Sequence, residues 1–252
     1  MKEHETLLNT FGGGGNLSKS SFLESLSSTH VADQAARLGF TLAEVLVTLG
    51  IIGVVSAMTL PTLVKNHQRQ VYVTQLQKVV TELSQAVETA IEEHHAVTLS
   101  ETPYTSSPLE FLRRYFKVVQ TCTSSRTPCF ANEYKNLDGT VFNKWRFRVD
   151  ANNPCVSLAS GAAICLDSTL GSDSYSNGEY TLHGSYWMYI DVNGSQGPNI
   201  VGRDLFSADL YSDGKVAEGY VSSWADSCGD SNANYGSGCL SKIMDDGWKM
   251  DY

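Results

Sequence analysis

Residues 39–64 read GFTLAEVLVTLGIIGVVSAMTLPTLV, an almost unbroken apolar run in which Glu44 is the one charged side chain. From Phe40 to Val64 the run is 25 residues long, enough for a helix to cross a hydrocarbon core of about 30 Å. A carboxylate near the end of such a helix costs on the order of 2.5–3.5 kcal/mol on insertion scales, and no cation lies inside the segment to offset it. The charge therefore asks for a partner, unless it sits close enough to the membrane surface to stay hydrated. A cleaved secretory signal would have a core of roughly 7–15 residues behind a basic start and a small-residue exit. This run is longer and lies further in, so it is expected to be retained or cut at its front edge.

Beyond the run, Val73, Leu76, Val80, Leu83, Val87 and Ala90/Ile91 recur at steps of three and four with Gln, Lys, Thr and Glu between them, the stripe of an amphipathic helix. One helix is thus expected to continue to about His95, apolar all round over 40–64 and one-sided over 65–95. Pro61 should bend or loosen it, and His94-His95 suit its C-terminal end. Gly50 and Gly53 are read as points of close helix contact or local unwinding, or as ordinary composition of a membrane helix. Ahead of the run, residues 1–38 are polar and carry FGGGG (11–15) and a serine-rich stretch. They lack sustained periodicity, and the tetraglycine has no following Gly-Lys-Ser/Thr to make a phosphate loop.

Further along, Ser107-Pro108 with Glu110 looks like a helix start, with Leu109, Leu112, Phe116 and Val119 as the expected buried stripe. After Cys122 the pattern changes to short alternating segments: CVSLASGAAICLDS, YTLHGSYWMYIDVNG and DLFSADLYSDGKVAEGY, the last with the hairpin dipeptide Asp213-Gly214. An antiparallel sheet follows. Tyr186, Trp187, Tyr189, Trp224, Trp248 and Tyr252 are read as sheet core ahead of a sugar- or surface-binding patch, and the closing GWKMDY is expected to dock on the head.

The chain has 252 residues and a formal net charge of -9. No run of Lys/Arg could follow a phosphate backbone, so direct nucleic-acid binding is not expected. All six cysteines lie after the apolar run, as Cys122/Cys129, Cys155/Cys165 and Cys228/Cys239, separated by 7, 10 and 11 positions. An even count on one side of a membrane segment points to disulfides in an oxidising compartment. Zinc would want closer pairs such as C-x2-C. Pairing between sequence neighbours is the simplest connectivity, and the sequence leaves the others open. No H-E-x-x-H and no G-x-S-x-G is present among the six histidines and the serines, and no acid/base or nucleophile set stands out, so an enzyme is not expected.

Taken together, Gly39 directly before the aromatic Phe40, then TLAEVLVTLGIIGVV with Glu44 four positions after Phe40, and Pro61 further down, resemble the type IV pilins and type II secretion pseudopilins. The later DVNGSQGPNIVGRDLF, LYSDGKV and DDGWKMDY also look like the C-terminal regions of prepilin-type proteins. The resemblance implies an α+β fold: a long N-terminal helix packed on a disulfide-bearing head with an antiparallel sheet. It implies a leader at 1–39 cut by a prepilin peptidase between Gly39 and Phe40, N-methylation of Phe40, a membrane and assembly half at 40–64, an amphipathic half at 65–95, and a head at 96–252. It also implies partners: other pilin-like subunits or copies of the chain, the inner-membrane assembly platform, and lipid. The chain would cross the bacterial inner membrane once, with its head outside the cytoplasm, and then enter a pilus or pseudopilus. The new α-amine at Phe40 would meet Glu44 of a neighbouring subunit in the low-dielectric bundle. A carboxylate that penalises the lone chain would then reward assembly.

Some pseudopilins bind calcium in their heads, and Asp191, Asn193, Ser195 and Asp204 offer hard oxygen ligands of the kind calcium uses. The competing reading of DVNGSQGPN is a plain turn leaving a strand. The different-class alternative for the whole chain is a membrane-anchored exported binding protein, an adhesin or calcium-dependent module on a similar anchor.

Overall fold

The computed structural model describes residues 39–176, 181–218, 226–231 and 234–252. The leader expected at 1–39, apart from Gly39, lies outside these, as does Trp224. The chain divides into two units, residues 1–51 and 52–252.

Helix α1 (Leu42–His94) is assigned without interruption through Pro61. Its end follows from its backbone bonds: Ala96 N donates to Ile91 O at 3.0 Å and His95 N to Glu92 O at 3.2 Å, with His95 at φ 51°. This is the left-handed closure that satisfies the last carbonyls of a helix. In the second half of α1, Val73, Leu76, Val79, Val80, Leu83, Ala86, Val87 and Ala90 are buried, so the three-and-four spacing does define the docked face.

Six strands, β1 (Val118–Cys122), β2 (Cys155–Leu158), β3 (Ala163–Ser176), β4 (Thr181–Asp191), β5 (Leu205–Tyr211) and β6 (Val216–Ala217), form one antiparallel sheet in chain order. Because side chains alternate across a strand, the sheet has two distinct faces. Val156, Ile164, Leu166, Met188, Ile190, Phe206, Ala208 and Leu210 join the buried stripe of α1 in one core. Cys155, Ala163, Cys165, Tyr189 and Leu205 face the other way and are covered by Phe130, Tyr134, Phe142 and Val149. These belong to the stretch 123–154, which contains no strand of the sheet yet supplies its second cover. On this side Arg146 stacks over Trp187, 3.2 Å from the ring centroid, and pairs with Asp209 at 3.5 Å. Trp187 and Asp209 are register partners on β4 and β5.

The β5–β6 turn shows why Asp213-Gly214 is placed there. Asp213 Oδ1 accepts from Lys215 N at 3.0 Å, and Gly214 takes φ +91°, a conformation glycine adopts without steric cost. A Cβ at Gly214 would come within 3.2 Å of Ser84 O and 3.3 Å of Val87 Cβ, so the turn also lets the sheet seat closely on α1. The closing segment docks as expected: Met250 is buried and Tyr252 Oη donates to Gly202 O at 2.8 Å.

Two expectations need correction. Helix α2 (Pro108–Tyr115) buries Pro108, Phe111 and Leu112, not the stripe Leu109/Leu112/Phe116/Val119. It stops after two turns: Phe116 is the extended C-cap, and Val119, 64% exposed, belongs to β1. A stripe extrapolated through Val119 assumed a helix longer than the chain forms. Ser107 is the N-cap with Pro108 at the first turn, but its side chain makes no capping bond. The helix is instead tied to the end of α1, where Glu93 accepts from Arg114 at 3.0 Å and from Tyr115 Oη at 2.8 Å.

Candidate functional site

At the start of α1, Thr41 N and Thr41 Oγ1 both donate to Glu44 Oε2, at 2.8 and 2.9 Å, and Glu44 N donates to Thr41 Oγ1 at 3.2 Å. This is a capping box, with Thr41 as the cap and Glu44 three residues in. It gives Glu44 a partner within its own chain: the orphan donors and positive end of its own helix. The T-x-x-E spacing was legible in the sequence. Both residues lie on the same side of the Gly39–Phe40 bond, so a cut there leaves the box whole.

Phe40 is 86% exposed, and none of residues 42–64 is buried. Gly50 and Gly53 would each accept a Cβ with nothing within 4 Å, so the described residues impose no steric need for glycine at either position. Helix α1 is long and apolar enough to cross a membrane.

The cysteines pair as Cys122–Cys129, Cys155–Cys165 and Cys228–Cys239, the sequence-neighbour connectivity. Cys155 and Cys165 are register partners on β2 and β3. Cys122–Cys129 ties the end of β1 to the covering stretch, and Cys228–Cys239 ties the preceding loop to helix α3 (Cys239–Asp245).

Of the four residues expected to offer hard oxygens, the fold brings Asp191 and Asp204 within electrostatic reach of one another, both buried. Asp191 Oδ2 accepts from Tyr134 Oη and Oδ1 from Asn193 N at 3.1 Å. Asp204 accepts from Asn199 N and Ile200 N, each at 2.6 Å. Asn193 gives its side-chain amide to Gly197 O at 3.0 Å, and Ser195 is exposed. The two acids therefore staple the 191–204 turn. They do not form a cage with Asn193 and Ser195, so this donor set fits a calcium ion poorly. Among the described residues no three His, Cys, Asp or Glu gather into a metal-binding group. Millimolar calcium is expected to leave the melting temperature within about 1 °C of its value in chelator. A larger rise that Asp191→Ala abolishes would assign the turn to calcium.

Two further residues, neither singled out by the sequence reading, define the head's electrostatics. Tyr134 holds Asp191 from the covering stretch. Glu218, fully buried, accepts from Gly238 N at 2.9 Å and Ser241 N at 2.8 Å at the start of α3. Burial pushes Asp191 up to about 8, with the Asp204 charge adding, against the hydrogen bonds it accepts. Burial likewise pushes Glu218 up to about 8, against the Ser241 and Gly238 bonds, with the Asp209 charge adding. Each acid holds its proton more tightly folded than unfolded. The stability this contributes is complete below the ordinary carboxylate range and is lost as pH rises toward about 8. At about 1.4 kcal/mol per unit, and with generous allowance for relaxation, a loss on the order of 2 kcal/mol per acid is expected between about pH 5 and pH 9. Thermal melts across that range should fall with pH, and Asp191→Asn and Glu218→Gln should each flatten the slope. A melting temperature that climbs through the window would contradict the assignment.

Comparison of the chain with protein-family models, with curated proteins and with solved structures returns no match. What the fold and site define is a class: an α+β protein with a long N-terminal helix, apolar over its first half and packed over its second half on a disulfide-stapled antiparallel sheet.

Proposed function

We propose that the chain is a prepilin-like structural subunit, cut after Gly39, N-methylated at Phe40 and polymerised into a type IV pilus or type II secretion pseudopilus. The observation that carries this reading is the contrast along α1. Among the described residues none buries any part of 42–64, whereas the stripe from Val73 to Ala90 is buried on the sheet. A contiguous apolar surface of that size needs lipid or like helices. Gly50 and Gly53, with open space around them, would let such helices approach closely. Three disulfides with no free thiol among the described residues favour a head on the oxidising side of the inner membrane. The partners on this reading are other pilin-like subunits, the prepilin peptidase and the inner-membrane assembly platform.

In the filament, the α-amine freed at Phe40 would sit beside a carboxylate that is already fixed in orientation by Thr41. Pairing with a neighbouring subunit then adds a charge to a preorganised acceptor, which lowers the ordering cost of the contact. Mass spectrometry of the native N-terminus together with electron microscopy of shed fibres tests the proposal. Chains beginning at methylated Phe40 and present in fibres are expected. Chains that keep residues ahead of Phe40 and stay single in the bilayer would overturn it in favour of a membrane-anchored binding module.

A further inference from the structure

After Glu44 the charges of α1 are sorted along its length. Lys65, Arg69 and Lys78 come first, and Glu82, Glu88, Glu92 and Glu93 follow, with no acid among the former and no Lys/Arg among the latter. Three of them are used inside the chain: Lys78 pairs with Glu82 at 3.8 Å, and Glu93 with Arg114 at 3.0 Å. Lys65, Arg69, Glu88 and Glu92 remain, and among the described residues their side chains make no hydrogen bond or ion pair. Lys65, Glu88 and Glu92 are exposed. Arg69 is half-buried, its Nε unpartnered, on the wall of an open groove of about 580 Å³ that α1 shares with residues 248–251. Lys249 and Asp251 on the other wall carry opposite charges.

The four residues form two couples of like charge, Lys65 with Arg69 and Glu88 with Glu92, each spaced four apart. At that spacing side chains are neighbours on the helix surface, and like charges destabilise it. Nothing within the chain offsets either couple, yet the couples are opposite in sign and identical in spacing. Glu88 follows Lys65 by 23 positions and Glu92 follows Arg69 by the same 23, about 34.5 Å at a rise of 1.5 Å per residue. Two parallel copies shifted by that length bring both ion pairs into step at once. Every other parallel shift joins at most one acid of the couple to one base. An antiparallel match is closed to copies anchored in one membrane through residues 40–64, because all of them point the same way.

The two couples also face suitably different ways. At 3.6 residues per turn, 23 positions place the acids about 140° around the helix from the bases. Helices in lateral contact present nearly opposite faces, and a rotation of one copy by about 40° about its axis supplies the remainder. A contact of this head-to-tail kind does not close on two copies but continues as a helical array. The shift slightly exceeds the hydrocarbon core of about 30 Å, so a copy raised by it has its apolar half just clear of the core while the copy below is still anchored.

We infer that this face of α1 docks on a second copy of the chain, Lys65 and Arg69 of one copy pairing with Glu88 and Glu92 of a parallel neighbour displaced by about 34.5 Å along the helix. The inference rests on the filament reading and deepens it by fixing an axial register between copies.

The test is carbodiimide coupling of sheared fibres, which joins a lysine amine to a carboxylate in direct contact, read by peptide mass spectrometry. The Lys78–Glu82 pair serves as the internal control and should couple in fibres and in detergent-dispersed chains alike. A Lys65–Glu88 link can form only between copies, since one helix holds the two residues about 34.5 Å apart; it should appear in fibres and fall at least about tenfold on dispersal. K65E/R69E and E88K/E92K should each lower the fraction of chain pelleting with fibres about tenfold, and the two combined should restore it to within about threefold of wild type. All three should melt as wild type does. Fibres that contain the chain and give the Lys78–Glu82 link without the Lys65–Glu88 link overturn the contact and leave the filament reading standing. Chain absent from fibres overturns both. Charge-reversed variants that incorporate normally overturn the contact, and so does a combined variant no better than either alone.

Discussion

Glu44→Val is expected to leave the chain in the membrane fraction and to remove it from filaments. The substitution deletes a carboxylate that costs on the order of 3 kcal/mol to insert, so membrane insertion should be unchanged or improved. Assembly should suffer in proportion to what an α-amine loses when its buried counter-ion is taken away. Removing one partner of a desolvated ion pair typically costs about 3–5 kcal/mol, which corresponds to a fall in incorporation of a hundredfold or more at about 1.4 kcal/mol per decade. The capping box adds a second role for the same residue, and two variants separate the roles. Glu44→Gln keeps an acceptor for Thr41 N and Thr41 Oγ1 but has no charge. Thr41→Ala keeps the charge but loses the reciprocal bonds, at a cost of about 1 kcal/mol to the helix start. If charge pairing drives assembly, Glu44→Gln fails and Thr41→Ala assembles with modest loss, as read from the fraction of chain pelleting with sheared fibres. Normal assembly of Glu44→Gln with failure of Thr41→Ala would make Glu44 a helix cap and nothing more.

Leu83→Ala is expected to destabilise the head by about 3 kcal/mol, within the range of roughly 2–5 for buried leucines whose surroundings cannot close the gap. Leu83 is fully buried in the stripe of α1 and shares a core with Met188, Phe206 and Leu210 from the sheet. The site is flanked by the β5–β6 turn, where Gly214 already approaches Ser84 and Val87 closely, so the backbone has little room to relax inward. Val119→Ala serves as the contrast: its side chain is exposed on β1, and the change should stay within about 0.5 kcal/mol. Chemical denaturation of the full chain in detergent, followed by tryptophan fluorescence, compares the two. Equal costs for Leu83→Ala and Val119→Ala would mean that the second half of α1 is not docked on the sheet.

The parts of the fold that follow from local rules were legible in the residues. The stripe from Val73 to Ala90 repeats with the helical period for nearly twenty positions, long enough that no strand or loop reading competes. Asp213-Gly214 states its own turn, and the three cysteine couples found the partners closest to them in the chain. The short helix α2 was read less well, because eight residues give a periodic pattern too few turns to reveal where it stops. The same limit hid the cover formed by residues 123–154. Phe130, Tyr134, Phe142 and Val149 carry no alternation, since no strand sets their spacing, and they are buried only because β1–β5 turn a second apolar face toward them.

The candidate site divides along the same line. Glu44 stands out in the sequence because a charge inside an apolar run is anomalous wherever the run ends up, and its Thr41 partner lies within one helical turn. Asp191 and Asp204 also stood out as oxygen donors, but their use depends on Tyr134, 57 positions away from Asp191, and on which backbone N–H groups the turn presents. Period, charge anomaly and turn chemistry act between residues a few positions apart, so the order of the amino acids determined the helix, its apolar and amphipathic halves and the hairpin. Burial and the juxtaposition of distant charges depend on which surfaces the sheet brings together. The tertiary structure alone therefore decided that the acids staple a turn.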